Sequence, residues 1–419
     1  MSTAAERREI MAATGAATGA ATEMAALEGG AQTSAGAGRE TRLDTLRALV
    51  LSAVIVVNML TISGLAYLTP DARAEALGPF DMALWHGLDV LFEGKALAAF
   101  SFLFGLSFSL ILRSAAAQGE APGMLFLRRL LVLAGLGLFN ALFLFWADIL
   151  MSYAALGLVL PLAARFSQRV LVGAGAALLA SGPVILALGG FARPEPVPQG
   201  HVENLEVYAS PAYGDTVRQN LDMVLNATDG VDSLLLMRLF MLSGLFLLGL
   251  AAGRSGMLKR LRAGVPVSWL GAGAALMGLG LGLQLGAGAE ATLVAALGVL
   301  HAPIMALGYL LVLGYLLGSA RTGWVHRALA PLGRMSLTGY LMSAALGGAV
   351  FYGWGLGLIG TLGTAQVLLV ALASIALLAG FARLWFAWFL FGPWEWLWRS
   401  LTRMQVQPLT MATRAGAAG

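Results

Sequence analysis

Long apolar runs, each of about 18 residues or more and so able to cross a hydrocarbon core about 30 Å thick, recur roughly ten times along the chain. One such run could be a secretion signal, but this many cannot. In lipid every backbone N–H and C=O must find its partner within the chain, so runs of this length fold as helices. The sequence therefore predicts an all-α fold, a polytopic transmembrane helical bundle of about ten helices. The predicted spans are 46–68, 86–112, 126–146, 149–164, 170–192, 233–253, 267–286, 291–318, 335–354 and 364–391, the fourth being short. Only 11% of the residues are charged and 58% are hydrophobic, whereas a soluble domain carries roughly 25% charged residues.

The basic residues set an orientation independently of hydropathy, because cytoplasmic loops collect Lys and Arg. With the N-terminus and C-terminus both cytoplasmic, the outer loops receive only Arg73, Arg193 and Arg218, and the spans hold Lys95, Arg238 and Arg383. All the other basic residues fall on the inner side, and adding or dropping one span would scramble that partition. Residues 1–41, rich in Ala, Gly, Thr and Ser, read as a disordered cytoplasmic tail. Residues 42–232 hold five helices and end in an acidic outer loop, 193–232, with four prolines and seven acids. Residues 233–405 hold five more helices as a C-terminal domain, and 406–419 form a second disordered tail. The 54 glycines, many inside apolar runs such as Gly278-Leu-Gly280-Leu-Gly282, let helix backbones approach closely. Trp85, Trp146, Trp324, Trp394 and Trp398 fall near predicted span ends, as an aromatic belt requires.

Several chemistries are excluded or unsupported. There is no cysteine, which removes disulfides, thiolate metal sites and thiol nucleophiles. No metal-ligand spacing, phosphate-cradling loop or nucleophile elbow is present, so no metal is expected. The net charge of +4 lies at helix ends and forms no patch, so it reports membrane orientation and no nucleic acid partner. The lipid bilayer is the partner the composition requires; oligomeric state leaves no trace in it.

Ionisable residues inside spans cost about 2.5–3.5 kcal/mol each on insertion scales and are functional candidates by default. The second span carries Asp89, Glu93 and Lys95. Asp89 and Glu93 share a helix face, and Lys95 points elsewhere unless the helix breaks near Gly94. At similar depth lie Asn140 in the third span, Asp148 at the outer turn between the third and fourth, Tyr153 just inside, Arg238 in the sixth and His301 in the eighth. Glu93, Lys95, Asp148 and Arg238 are expected to converge on one outward-facing polar cavity. Plainer roles stand beside that reading. Lys95 and Arg238 can pair with Glu93 and Asp148 to staple helices, Asp148 can cap a helix, and His301 can be a hydrogen-bonded packing residue. Arg383 can snorkel to headgroups and Asn58 can glue helices.

The chain resembles the YeiB-like bacterial inner-membrane proteins, which end in a domain of unknown function. The resemblance rests on Arg42-Leu-Asp44-Thr-Leu-Arg47, on Lys95 with Phe100-Ser-Phe-Leu-Phe104-Gly105, on Arg128-Arg129-Leu130 and on Trp146-Ala-Asp148-Ile-Leu150-Met-Ser-Tyr153. It continues through Arg254-Ser-Gly256, Ala302-Pro303, Gly308-Tyr309 and Gly333-Arg334-Met335-Ser336-Leu-Thr338-Gly-Tyr340. It closes on Gly392-Pro393-Trp-Glu395-Trp396-Leu-Trp398-Arg399, the most specific segment. The resemblance implies a plasma-membrane protein whose fold is similar to transmembrane acyltransferases. On that reading Asp148, Glu93 and His301 would be catalytic, while Lys95, Asn140, Tyr153 and Arg238 would bind substrate. Acyl-CoA would be the donor and an envelope glycan or another small molecule the acceptor. The alternative is a transporter or permease of a small polar or lipid-linked solute. One departure matters: relatives commonly place a His where this chain has Asn140, and Asn cannot serve as a general base.

Overall fold

A computed structural model describes residues 41–117, 122–188, 202–226, 233–257, 260, 265–286 and 296–410. The tails expected at 1–40 and 411–419, and parts of the outer loop, lie outside the described residues. Eight helices are long and apolar enough to cross a membrane. Two shorter apolar helices, Leu150–Ala163 and Ser336–Phe351, stand where the fourth and ninth spans are predicted. Among the described residues no strand forms, only an isolated bridge between Phe389 and Thr410.

The first helix, α1 (Thr41–Ile62), and the α3–α4 pair that follows it are the most buried of the spanning elements. A short α2 (Pro70–Ala76), started by Thr69 accepting the Ala72 N–H, leads into α3 (Pro79–Phe92) and α4 (Lys95–Ala117). Next come α5 (Pro122–Phe143), the consecutive short α6 (Leu150–Gly157) and α7 (Val159–Ala163), and α8 (Gln168–Leu188). Two helices, α9 (Val202–Tyr208) and α10 (Tyr213–Asn226), occupy the stretch that sequence reads as a hydrophilic loop. The Tyr208–Asn220 hydrogen bond of 2.9 Å between them, and the Tyr208 ring stacked on Tyr352 at the end of the helix Ser336–Phe351, give this polar segment a small core that hydropathy does not register.

The C-terminal half runs α11 (Ser233–Arg254), α12 (Ser268–Gly286), α13 (His301–Leu316), amphipathic α14 (Gly323–Arg334), α15 (Ser336–Phe351), α16 (Thr364–Trp385) and amphipathic α17 (Pro393–Arg403). Residues 406–410, assigned by sequence to the tail, instead fold back: Leu390 donates to Leu409 O at 2.8 Å and Trp396 Nε1 to Gln407 O at 2.8 Å. Indole donors in α17 and its surroundings need acceptors when buried, and this segment supplies one.

Glycine explains the tightest pairings. A methyl at Gly105 of α4 would collide with the Phe246 carbonyl, and one at Gly249 of α11 with the Phe102 carbonyl. The same close approach joins α12 to α13 at Gly273 and Gly308. Lipid tails offer no hydrophobic driving force between helices, so this backbone-to-backbone packing is what holds such pairs together. α1 meets α14 and α15 in the same way: Gly333 abuts the Asp44 carbonyl, and Gly339 and Gly347 face Leu51 and Ile62.

Contacts sort the helix ends into two groups. At the basic end Arg47 joins Asp44 at 2.9 Å and Ser107 at 2.9 Å, and Arg254 donates to the carbonyls of Ala164 and Phe166. At the acidic end Gly353 N–H donates to Tyr208 O, Gly360 N–H to Ser63 O, and Tyr213 Oη to Phe143 O. Gly333→Ala is expected to destabilise the chain by about 1–3 kcal/mol through overpacking. Gly271→Ala, where nothing lies within 4 Å, should leave stability near wild type. Thermal unfolding in detergent measures both, and equal midpoints would contradict the Gly333 packing.

Candidate functional site

The second predicted span is two helices. α3 ends at Phe92, Glu93 turns extended (φ −60°, ψ 126°), Gly94 takes the left-handed conformation at φ 73°, and α4 begins at Lys95. A side chain at Gly94 would face that left-handed φ and, 3.1 Å away, Ala302 Cβ. The break explains Lys95. Its side chain, 1% exposed, folds back so that Nζ donates to Asp89 O at 3.1 Å, placing a cation on the C-terminal carbonyls of α3. Glu93 is the C-cap of α3, its own N–H donating to Asp89 O at 3.1 Å. Non-helical backbone within a spanning segment is tolerated where it is buried in protein or lines a polar cavity.

Around this break the bundle gathers further polar groups. Gln284 of α12 approaches Asp89 Oδ2 at 3.4 Å, and Tyr309 of α13 donates to Leu91 O at 3.1 Å. His301 fixes its Nδ1 against Gly298 O at 2.8 Å and stands within electrostatic reach of Lys95 and Asp89. Glu93 and Arg238 are both exposed, and their charges interact. No ion pair closes: among the described residues the salt bridges are Arg47–Asp44 and Arg218–Asp215. The stapling role for Lys95 and Arg238 therefore does not hold in its simple form.

Asp148 goes elsewhere. Sequence places it in a two-residue outer turn, but α5 already ends at Phe143 and residues 144–149 turn back into the bundle. A methyl on Gly137, six residues before the end of α5, would lie 2.7 Å from Asp148 Oδ2; that is about 9 Å of helix. There Asp148 accepts from Asn140 Nδ2 (2.9 Å), the Met151 N–H of α6 (2.8 Å) and Tyr340 Oη (3.3 Å). The capping role is thus the one it fills. Tyr153 is buried nearby with Ser101 Oγ at 2.7 Å and donates to Leu97 O at 3.3 Å. Trp146 anchors the re-entrant stretch by donating to Tyr67 Oη at 2.6 Å; burial pushes the Tyr67 hydroxyl up to about 12 while that indole pulls it down.

The predicted residues therefore divide. Glu93, Lys95, Arg238 and His301 share the break, while Asp148, Asn140 and Tyr153 form a separate network with Tyr340 and Ser101. Among the described residues no hydrogen bond or ion pair joins Asp148 to the first set. Gln284 and Tyr309 escaped sequence reasoning because a neutral polar residue in a span carries no insertion signal comparable to a charge. A third feature went unread. Glu395, buried at the start of α17, accepts the N–H groups of Leu337 (2.8 Å) and Thr338 (3.1 Å) and the Thr338 hydroxyl (2.6 Å), capping α15. Burial pushes its carboxyl above the usual carboxylate range, and the bonds from Thr338 act in the other direction. An open groove lined by Glu206, Asp215, Arg218 and Asp222 lies on α9 and α10, away from every predicted site residue.

Two substitutions test this geometry. Gly94→Ala should cost about 1–2 kcal/mol for the left-handed φ alone. Glu395→Ala should cost about 1–3 kcal/mol for each orphaned buried donor, and Glu395→Gln, which keeps an acceptor, should cost less. Unfolding of the purified protein in detergent checks both, and a harmless Glu395→Ala would remove the capping role.

Comparison with known proteins now adds a family. Residues 250–405 match the family described as "Protein of unknown function (DUF418)". The chain is 29% identical over 397 residues to "Uncharacterized protein YxaH" of Bacillus subtilis (strain 168), covering 89% of this chain and 96% of that protein. It is 30% identical over 231 residues to "Uncharacterized protein YeiB" of Escherichia coli (strain K12), covering 53% of this chain and 57% of that one. The DUF418 match and these two bacterial relatives support a YeiB-like family, and the spanning helices a multi-pass membrane protein.

Proposed function

We propose that the chain is a plasma-membrane acyltransferase-like protein that modifies an envelope substrate at the break between α3 and α4. The observation that carries this reading is His301. Its Nδ1 is held on the Gly298 carbonyl, which assigns the ring proton to that nitrogen and leaves Nε2 as an acceptor on a ring within electrostatic reach of Lys95 and Asp89. A base fixed in this way suits removal of a proton from an acceptor hydroxyl. The hydroxyl oxygen then attacks the acyl carbonyl of a thioester donor such as acyl-CoA. The new ester C–O bond forms as the C–S bond breaks, and the proton taken by His301 leaves with the thiol. Arg238, exposed near Glu93, is placed to hold an anionic group of either substrate. In this proposal Asp148 and Asn140, joined by their hydrogen bond, support the fold of the re-entrant stretch, and His301 is the base.

Transport of a polar or lipid-linked solute is the second reading, and the helix break favours it as well. Transporters commonly carry broken helices at corresponding positions in two halves. Among the described residues a span is interrupted at 93–94 in the first half and by a turn at 299–300 in the second. Purified protein in proteoliposomes, given labelled acyl-CoA and an envelope glycan extract, tests the assignment. His301→Asn and Glu93→Gln should each lower acyl transfer at least about 100-fold while leaving folding intact. An unlabelled extract with wild-type protein, accompanied by solute flux that Glu93→Gln abolishes, would establish transport instead.

A further inference from the structure

At the basic end, three guanidinium groups come together without an ion pair among the described residues. Arg129, in the second turn of α5, lies 4.2 Å over the Trp398 ring, and Arg399, one turn before Arg403 on α17, lies 4.5 Å from the Phe391 ring. The charges of Arg399 and Arg403 both act on Arg129. Among the described residues none of the three forms an ion pair. Glu395 is the acid within reach of Arg399, but its two oxygens already take the Leu337 and Thr338 donors. Stacking fixes the guanidinium planes and leaves their N–H edges unspent, with Trp398 Nε1 donating to Arg129 O at 2.9 Å to hold the two helices in register.

Like charges held together by the fold, with no ion pair among the described residues and only Glu395 acting on one of them, suit an anion. Planar forks on two helices suit the oxygens of a phosphate. The surroundings select its source. Leu127 and Leu131 of α5 and Leu401 of α17 are exposed, 38%, 63% and 51%, beside this cluster. An acyl chain would cover them, and a free phosphate would not. We infer that Arg129, Arg399 and Arg403 form a binding site for the phosphodiester headgroup of an anionic membrane lipid. The site is independent of the α3–α4 break and of the chemistry proposed there.

Native mass spectrometry of the full chain in detergent tests it, with phosphatidylglycerol and phosphatidylcholine of identical acyl chains as probes. Wild type should retain phosphatidylglycerol well above phosphatidylcholine. R399Q/R403Q, which alters two exposed side chains, should lower that retention about five-fold per arginine removed. R129Q should do the same, and its thermal midpoint in detergent separates lost binding from lost folding. Equal retention of the two lipids by wild type, or undiminished phosphatidylglycerol retention by a folded R399Q/R403Q, would overturn the site. Displacement of phosphatidylglycerol by inorganic phosphate at equal concentration would overturn the lipid as its source.

Discussion

The bundle depends on satisfying helix ends where water is scarce. A helix leaves four N–H groups bare at its start and four carbonyls at its finish, and hydrocarbon offers them no partner. Here single side chains meet that need, some locally and some across large sequence distances. Glu395 takes the bare N–H groups of α15, Arg254 takes carbonyls at the end of α7, Lys95 covers the end of α3, and Asp148 receives a first-turn N–H of α6. Each contact fixes where one helix ends relative to another. The glycine contacts then decide how closely the cylinders lie, because a backbone carbonyl in van der Waals reach of a glycine leaves no room for adjustment.

This division of labour governs how much the sequence discloses. The spanning helices were legible because burial in lipid demands a long apolar run whatever the partners are. The ends of α3 and α5 were not. A run such as 86–112 stays apolar through Phe92 and resumes at Ala96, so hydropathy passes over a break that depends on the left-handed φ of one glycine. Likewise 144–149 contains Phe145 and Trp146, whose apolarity hides a stretch that is not helical at all. The polar helices α9 and α10 were lost for the opposite reason: their small core is built of tyrosines and asparagines that read as loop.

The candidate site was legible in part, and the residues show why. Glu93, Lys95, Arg238 and His301 were found because charge in a span is costly enough to stand out, and they do share a neighbourhood. Asp148 was found by the same signal, yet its cost is offset by three hydrogen bonds from the protein. Cost alone marks a residue as needed without saying for what. The segments that carry the family resemblance follow the same logic. Asp148, Arg254 and Glu395 all hold helix ends, so much of what looks like a functional signature is the set of pins that lets this topology exist.

The re-entrant stretch has a consequence for the surrounding bilayer. Because 144–149 folds back beside α5, α6 and α7 together supply a 14-residue apolar stretch, Leu150–Ala163, about 21 Å long against a bilayer core of about 30 Å. Met151, Leu158, Val159 and Leu162 on these helices are exposed and face whatever surrounds the bundle. The lipid leaflets must thin or tilt along this one flank, at fractions of a kcal/mol for each ångström of mismatch. The protein thus carries a short flank in its apolar belt, where the two headgroup surfaces are drawn toward each other.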